Sequence, residues 1–150
     1  MSRILYLQAS PRRNRSVSIA VADAFVGAYK EANPQDEVIA VNLFDRELTV
    51  FDGHTLQGKY NILHGKDYTE AEKAAWAAVE AEIDAFKAAD KYVFAVPMWN
   101  FSIPYRLKHY IDIIVQPGYT FSFSPDTGYS GMVMGKPAFV AYARGGAYPP

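Results

Sequence analysis

The 150-residue sequence contains no cysteine, which excludes disulfide bonds, thiolate metal sites and a cysteine nucleophile. No apolar run approaches the roughly 20 residues that span a bilayer, and the N-terminal apolar stretch is too short for a signal peptide. The formal net charge is only -1, which argues against a nucleic-acid-binding protein, because such proteins carry a basic excess. We therefore expect a cytoplasmic protein with no membrane partner and no nucleic-acid partner.

Half of the residues are hydrophobic and 21% are charged, which is the balance of a globular chain. The length suggests one domain that covers residues 1–150. Short apolar runs alternate with segments of helical periodicity, and this order predicts a parallel sheet with helices on both faces. In such sheets, ligands bind beyond the carboxyl ends of the strands. The predicted strands are 4–7, 37–43, 92–96 and 138–143.

The first predicted helix follows Ser16, a candidate N-cap residue. The second begins at a capping box formed by Thr69 and Glu72. Five residues recur on one face of the first helix, which is the apolar stripe that an amphipathic helix turns towards the core: Val17, Val21, Ala24, Phe25 and Ala28.

Three further segments follow from local patterns. Residues 44–68 show no strong period, and we predict a long loop there. A third amphipathic helix is predicted over 103–114, and the alternating segment 120–134 predicts a hairpin.

The loop after the first strand combines hydroxyl groups with guanidinium groups. Ser10, Arg12, Ser16 and Ser18 lie where the first helix begins, and a helix N-terminus attracts anions through its free N–H groups and its partial positive charge. The loop has neither the glycine pattern of a dinucleotide site nor a P-loop. Two interpretations remain open, a phosphate site and simple capping of the helix by Ser16.

Two other loops at the predicted carboxyl edge have distinctive chemistry. The segment 97–101 places Trp99 and Phe101 on either side of Asn100, which suits contact with a flat heteroaromatic ring, although local packing would also explain the rings. The segment 144–146 joins an arginine to two glycines, which permits close backbone approach to a ligand, although a plain turn fits equally well.

The sequence offers no convincing catalytic side chain and no metal site. It lacks a serine-hydrolase elbow, and His54, His64 and His109 show no metal-ligand spacing. This absence favours a bound cofactor that carries the chemistry.

Taken together, the loops resemble a known family. Residues 10–18, the segment Pro-Met-Trp-Asn-Phe at 97–101, the Pro-Gly-Tyr-Thr-Phe segment at 117–121 and the Arg-Gly-Gly at 144–146 are similar to those of FMN-dependent NADH:quinone oxidoreductases and azoreductases. The resemblance implies a flavodoxin-like three-layer α/β sandwich with parallel strand order 2-1-3-4. This chain is expected to lack the fifth strand and the last helix of that family, so that its C-terminus is short.

The resemblance also implies a cofactor and the residues that bind it. FMN would place its phosphate in the first loop and its ring against the second, with the third loop on the pyrimidine side. Phe121, Phe123 and Tyr148 would line a pocket for a flat substrate, and residues 44–68 would form its wall. The residues expected to bind FMN are Ser10, Arg12, Ser16, Val17, Ser18, Pro97, Met98, Trp99, Asn100, Phe101, Arg144, Gly145 and Gly146.

By the same resemblance, the protein is a homodimer that transfers electrons from NADH or NADPH to quinones or azo compounds by a ping-pong mechanism. The sequence does not choose between NADH and NADPH. Two alternatives remain open, a flavodoxin-type electron carrier and a truncated fragment that no longer binds flavin.

Overall fold

The computed structural model describes residues 1–148. In chain order, its elements are β1 (Arg3–Gln8), a 3-10 helix (Arg13–Arg15), α1 (Val17–Ala32), β2 (Glu37–Asn42), α2 (Gly53–Leu63), α3 (Glu70–Lys87), β3 (Lys91–Pro97), α4 (Tyr105–Ile114), β4 (Phe121–Ser124), β5 (Gly128–Gly131) and β6 (Ala138–Ala143). Two compact units are distinguished. The first contains Met1–Glu47, Ala88–Tyr110 and the part from Met134 on, and the second contains Leu48–Lys87 and Ile111–Val133.

The first unit is built on a parallel sheet in the order β2-β1-β3-β6. In the part of the chain that the structure describes, this sheet has four strands, and the predicted order 2-1-3-4 is confirmed because β6 is the fourth core strand. The central strand β1 pairs with β2 and β3 along most of its length. Its apolar residues Ile4, Tyr6 and Leu7 are buried, as a strand covered on both faces requires.

Helix α1 packs on this sheet, and Ser16 caps it by accepting a hydrogen bond from the Ile19 backbone N–H. The predicted inner face is wrong. The buried side of α1 carries Ser18, Ile19 and Ala22, and the predicted inward residues are exposed: Val17, Val21, Ala24, Phe25 and Ala28. The helix has small and apolar residues on more than one face, so periodicity alone does not determine which face is buried.

The long loop predicted over residues 44–68 is also corrected, because α2 lies inside it. Asp52 caps α2 by accepting a hydrogen bond of 2.8 Å from the Thr55 backbone N–H. The buried residues of α2 are Thr55 and Gly58, neither of which contributes to a hydrophobic period. The pattern that normally reveals a helix is therefore absent.

In the second unit, α3 begins at the predicted capping box. Glu72 accepts a hydrogen bond of 2.7 Å from the Thr69 backbone N–H, and the Glu72 N–H donates to the Thr69 hydroxyl at 3.1 Å. The predicted hairpin is confirmed as the antiparallel pair β4–β5. Among residues 1–148, no helix has both the length and the apolarity that a membrane span needs.

Candidate functional site

Three of the loops that sequence analysis singled out begin side by side at one edge of the sheet. The Ala9 N–H donates to the Ala95 carbonyl at 2.9 Å, and the Met98 N–H donates to the Ala143 carbonyl at 2.7 Å. These bonds continue the strand pairing beyond the carboxyl ends of the strands. The segments after β1, β3 and β6 therefore leave the sheet as neighbours, where open parallel sheets bind ligands.

The first loop buries three hydroxyl groups at the start of α1. Ser10, Ser16 and Ser18 are all at most 4% exposed. The Ser16 and Ser18 Oγ atoms lie 3.1 Å apart, and the Arg12 backbone N–H donates to the Ser10 Oγ at 3.3 Å. Clustered hydroxyls at the positive end of a 16-residue helix form a suitable site for an anion.

The guanidinium groups of this loop differ in their partners. Arg13 forms an ion pair of 2.6 Å with Asp45, and its backbone has a φ of 50°. Arg12 lies beside the serine cluster and is exposed, and so is Val17. The ion pair neutralises the Arg13 charge, so Arg12 is the better candidate for adding positive charge at the serine cluster.

The second loop is a two-residue turn. Trp99 and Ser102 exchange two backbone hydrogen bonds of 2.9 Å, and the residues between them have positive φ, 49° at Asn100 and 61° at Phe101. Two consecutive positive φ values define a type I′ turn, which favours Asn at the first position and Gly at the second. Phe101 therefore holds a strained backbone, and its side chain is 78% exposed.

The third loop meets the second through aromatic rings. The Tyr148 ring packs edge-on against Phe101 with the ring centroids 5.2 Å apart, and Arg144 donates to the Tyr148 carbonyl at 3.3 Å. A Cβ added at Gly145 would meet no atom of the described residues within 4 Å, whereas one at Gly146 would lie 3.6 Å from the Tyr148 ring. Packing against the described residues therefore does not require glycine at position 145.

Phe44, just after β2, joins this edge, although the sequence assigned it only to the wall of the substrate pocket and not to the flavin-binding residues. The Phe44 ring packs against Trp99 at 5.7 Å and against Tyr105 at 5.7 Å, and the Trp99 and Tyr105 rings lie 6.3 Å apart. The sequence did contain a sign that Phe44 lies at the site, because this aromatic residue directly follows a predicted strand, and Trp99 lies shortly after another predicted strand.

The remaining residues predicted in the second loop lie at the end of the strand. Pro97 ends β3, and Met98 is half-buried.

The predicted substrate residues fall into two groups. On the β4–β5 hairpin, Tyr129 packs against Phe121 and Phe123 at centroid distances of 5.9 Å and 4.8 Å. Tyr148 belongs to the first unit, where it contacts Phe101.

Comparison with known proteins identifies the family. A family model described as "Flavodoxin-like fold" matches residues 2–149. The chain belongs to this family. The flavodoxin-like α/β fold and the resemblance drawn from the loop motifs are both confirmed.

Relatives and solved structures of the flavodoxin-like family cover almost all of this chain. It is 54% identical over 149 residues to a protein of Nitratidesulfovibrio vulgaris named FMN-dependent NADH:quinone oxidoreductase, and it covers 71% of that protein. A protein of Desulfotalea psychrophila with the same name is 51% identical, with 99% of this chain and 70% of that protein covered. The fold superposes on the azoreductase from Bacillus anthracis str. Sterne with a TM-score of 0.88 at 36% identity, over 99% of this chain and 71% of that one.

Another solved structure of this flavodoxin-like group contains a cofactor. An FMN-dependent NADH-azoreductase from Bacillus anthracis str. Ames Ancestor, solved in complex with FMN, matches with a TM-score of 0.87 at 31% identity, covering 99% of this chain and 71% of that chain.

Proposed function

We propose that this chain is an FMN-dependent oxidoreductase that transfers electrons from NADH or NADPH to a quinone or an azo compound in ping-pong order. The observation that carries the proposal is the buried pair of hydroxyls at Ser16 and Ser18, 3.1 Å apart at the start of α1. Its place at the same sheet edge as the Asn100–Phe101 turn suits a ligand with an anionic end and a flat ring. The names of the relatives identify FMN as a ligand of this kind.

The residues of the first loop fit the phosphate of FMN. Phosphate monoesters accept hydrogen bonds from hydroxyls and from helix N-terminal N–H groups. Ser10, Ser16 and Ser18 supply the hydroxyls, and Arg12 supplies exposed positive charge. Because the serines are buried, their rotamers are held in place by the surrounding structure, so binding costs little side-chain entropy.

The residues of the other two loops fit the ring system. Asn100 and Phe101 lie in a turn whose backbone is held by the two Trp99–Ser102 hydrogen bonds. At Gly145, no atom of the described residues lies within 4 Å of the place that a Cβ would take, so a planar ligand can approach the backbone there. Arg144, Gly146 and the half-buried Met98 complete this side.

When bound, FMN would supply the hydride and electron transfer, which is chemistry that amino-acid side chains do not carry out on their own. The residues of this chain bind, orient and shield that group. Backbone N–H groups of the Asn100–Phe101 turn would donate to a ring edge, and those of Gly145 and Gly146 would stabilise negative charge on ring carbonyls, in the manner of an oxyanion hole.

We further propose that Phe121, Phe123 and Tyr148 contact the flat substrate, and that the protein acts as a homodimer. The support for the dimer is the β4–β5 hairpin, where Phe123 is 59% exposed and Tyr129 is 78% exposed. Exposed aromatic groups in a segment with few charges are typical of the centre of a protein interface. Sedimentation velocity on the purified chain tests the dimer directly.

Removal of the buried hydroxyls tests the phosphate site. In the Ser16→Ala, Ser18→Ala double variant, we expect the Kd for FMN to rise by about a hundredfold or more, because two hydrogen bonds to a charged group are lost and each is worth about 1.5–3 kcal/mol. Flavin fluorescence titration measures the Kd, and turnover at saturating FMN should stay near that of the parent chain. Ser122→Ala, on the exposed part of the hairpin, is the matched control.

Because Ser16 also caps α1, a second variant is needed to distinguish the loss of the helix cap from the loss of a hydroxyl that binds phosphate. Ser16→Gly costs only a few tenths of a kcal/mol as a cap, yet it removes the same hydroxyl. If Ser16→Gly combined with Ser18→Ala binds FMN as the parent chain does, the phosphate assignment is wrong.

The turn is tested by reduction kinetics. Asn100→Ala should retain FMN and slow its reduction by NADH in a stopped-flow experiment, and reduction at the parent rate would contradict the ring-edge role. The same assay separates the alternatives. A yellow protein that NADH and NADPH do not reduce indicates an electron carrier, and a protein that FMN cannot reconstitute indicates a fragment without flavin binding.

A further inference from the structure

The residues 42–46, which we name the β2 exit segment, contact two of the three loops that the proposed function assigns to FMN: the first loop, called the serine loop below, and the turn after β3. The segment begins with the last residue of β2 and turns away from the sheet at the carboxyl edge. The Leu43 N–H donates to the Gln8 carbonyl at 3.0 Å, and Leu43 is fully buried. The start of the segment is therefore held against β1, directly beside the serine loop.

Within the segment, the side chain of Asn42 donates one hydrogen bond and accepts another. Its Nδ2 donates to the Ser10 carbonyl at 3.0 Å, across 32 residues of chain. Its Oδ1 accepts from the Phe44 N–H at 3.0 Å. One amide group thus joins the backbone of the serine loop to the backbone that carries the Phe44 ring.

Phe44 continues the connection to the second loop. Its ring lies against Trp99 and Tyr105, and the three rings contact one another pairwise at centroid distances of 5.7, 5.7 and 6.3 Å. Trp99 is the first residue of the strained turn, since it exchanges both backbone hydrogen bonds with Ser102. The orientation of the Trp99 ring therefore depends on where the Phe44 ring is held.

Two charged groups keep the rest of the segment in place. Asp45 forms its ion pair with Arg13 in the serine loop, and a guanidinium nitrogen of Arg106 in α4 donates to the Arg46 carbonyl. The Arg13–Asp45 pair is exposed and contributes little stability. The Asn42 amide is thus the better shielded of the two connections to the serine loop.

We propose that Asn42 is a positioning residue that couples the phosphate-binding loop to the ring-binding turn. Its Nδ2 fixes the Ser10 backbone, and its Oδ1 fixes Phe44 and, through that ring, Trp99. The inference rests on the proposed function, because the ligand that spans both loops is FMN. On this inference, Asn42 acts through Ser10 and Phe44 and not by direct contact with FMN. Its loss is expected to weaken the binding of both the phosphate and the ring.

Two substitutions at this position separate the two bonds. Asn42→Asp keeps an oxygen that accepts from the Phe44 N–H, but it cannot donate to the Ser10 carbonyl and adds negative charge near the serines. Asn42→Ala removes both bonds. Riboflavin, which has the ring but no phosphate, reports the ring end alone, and FMN reports both ends.

For Asn42→Asp, we expect an unchanged Kd for riboflavin and a Kd for FMN raised about tenfold or more, by loss of the donor and by charge repulsion. For Asn42→Ala, we expect both Kd values to rise by up to about tenfold, together with a shift of the visible absorption bands of bound FMN. Fluorescence titration and absorption spectra measure these effects without turnover. Asn33→Ala is the matched control, since that amide also donates to a backbone carbonyl, at the far end of α1.

The outcomes distinguish this inference from the proposed function. If the parent chain binds neither FMN nor riboflavin, the proposed function fails and the inference fails with it. If the parent chain binds FMN and both Asn42 variants bind it equally well, the inference alone is overturned. Equal loss of riboflavin and FMN affinity in Asn42→Asp also overturns it, because a general structural defect does not distinguish the phosphate from the ring. Urea unfolding of each variant identifies the fraction of folded protein for the titrations.

Discussion

The backbone of Phe101 provides a test of whether this edge of the sheet is shaped for a ligand or for stability. With φ at 61°, a non-glycine residue carries about 1–2 kcal/mol of steric cost. The ring recovers little of it, because the side chain is 78% exposed and packs edge-on against Tyr148. Strain of this kind persists where a function requires it.

The magnitude follows from a comparison of two variants. Phe101→Ala loses the contact with Tyr148, worth about 0.5 kcal/mol for an exposed pair, and keeps the strain. Phe101→Gly loses the same contact and relieves the strain, at an entropic cost of about 0.5–1 kcal/mol. We therefore expect the glycine variant to have a free energy of unfolding about 0.5–1 kcal/mol higher than that of the alanine variant.

Urea unfolding of the flavin-free protein, followed by far-ultraviolet circular dichroism, measures this difference through the midpoint and the slope. Titration with riboflavin completes the test, because both variants lack the ring and should bind the flavin more weakly than the parent chain. An alanine variant as stable as the glycine variant would refute the argument from strain. Parent-like riboflavin affinity in both would refute the argument that the ring contacts the ligand.

Two further predictions concern stability. Gly58→Ala should lower the free energy of unfolding by about 1–3 kcal/mol, because the new Cβ would lie 2.9 Å from the Glu72 carbonyl oxygen. At Gly27 in α1, a Cβ would meet no described atom within 4 Å. Gly27→Ala should therefore raise the free energy of unfolding by about 0.5–1 kcal/mol in the same urea assay. The pKa of Asp36 is lowered to about 2, chiefly by the hydrogen bond from the Ser2 backbone N–H, so its stabilisation is complete above about pH 4 and is lost as the pH falls towards 2. Asp36→Asn should therefore be less stable than the parent chain at pH 7, and the two stabilities should become similar at pH 2. A difference in urea midpoint that is the same at both pH values would contradict this.

The parts of the fold that sequence predicts well are those where the chemistry is local. The Thr69–Glu72 capping box needs only residues three apart, and the structure shows both of its hydrogen bonds. The strands are short apolar runs, and their order follows from the resemblance that the loop motifs carry. Helix α2 escapes prediction because its buried residues, Thr55 and Gly58, have no hydrophobic pattern.

The residues of the candidate site also differ in whether the sequence alone reveals them. Residues 97–101 and 144–146 stand out because unusual residue types follow an apolar strand directly. Asn42 does not stand out, because nothing within its own segment distinguishes it from any polar residue at the end of a strand. Its importance comes from a carbonyl 32 residues away and from a ring cluster that only the folded chain assembles.

The buried face of α1 decides between two interpretations of the same sixteen residues, and a pair of alanines tests it. Periodicity places Ala24 inward, whereas the structure places Ala22 at the sheet with no exposed surface and leaves Ala24 in solvent. Ala22→Leu should therefore overpack the core beside Ile4 and Val93 and lower the free energy of unfolding by about 1–3 kcal/mol. Ala24→Leu should change it by no more than about 0.5 kcal/mol, as surface substitutions do. Both variants replace the same residue type in the same helix, so helix propensity cancels in the comparison of their urea midpoints. If Ala24→Leu proved the more destabilising of the two, the helix would present to the sheet the face that the sequence pattern predicts.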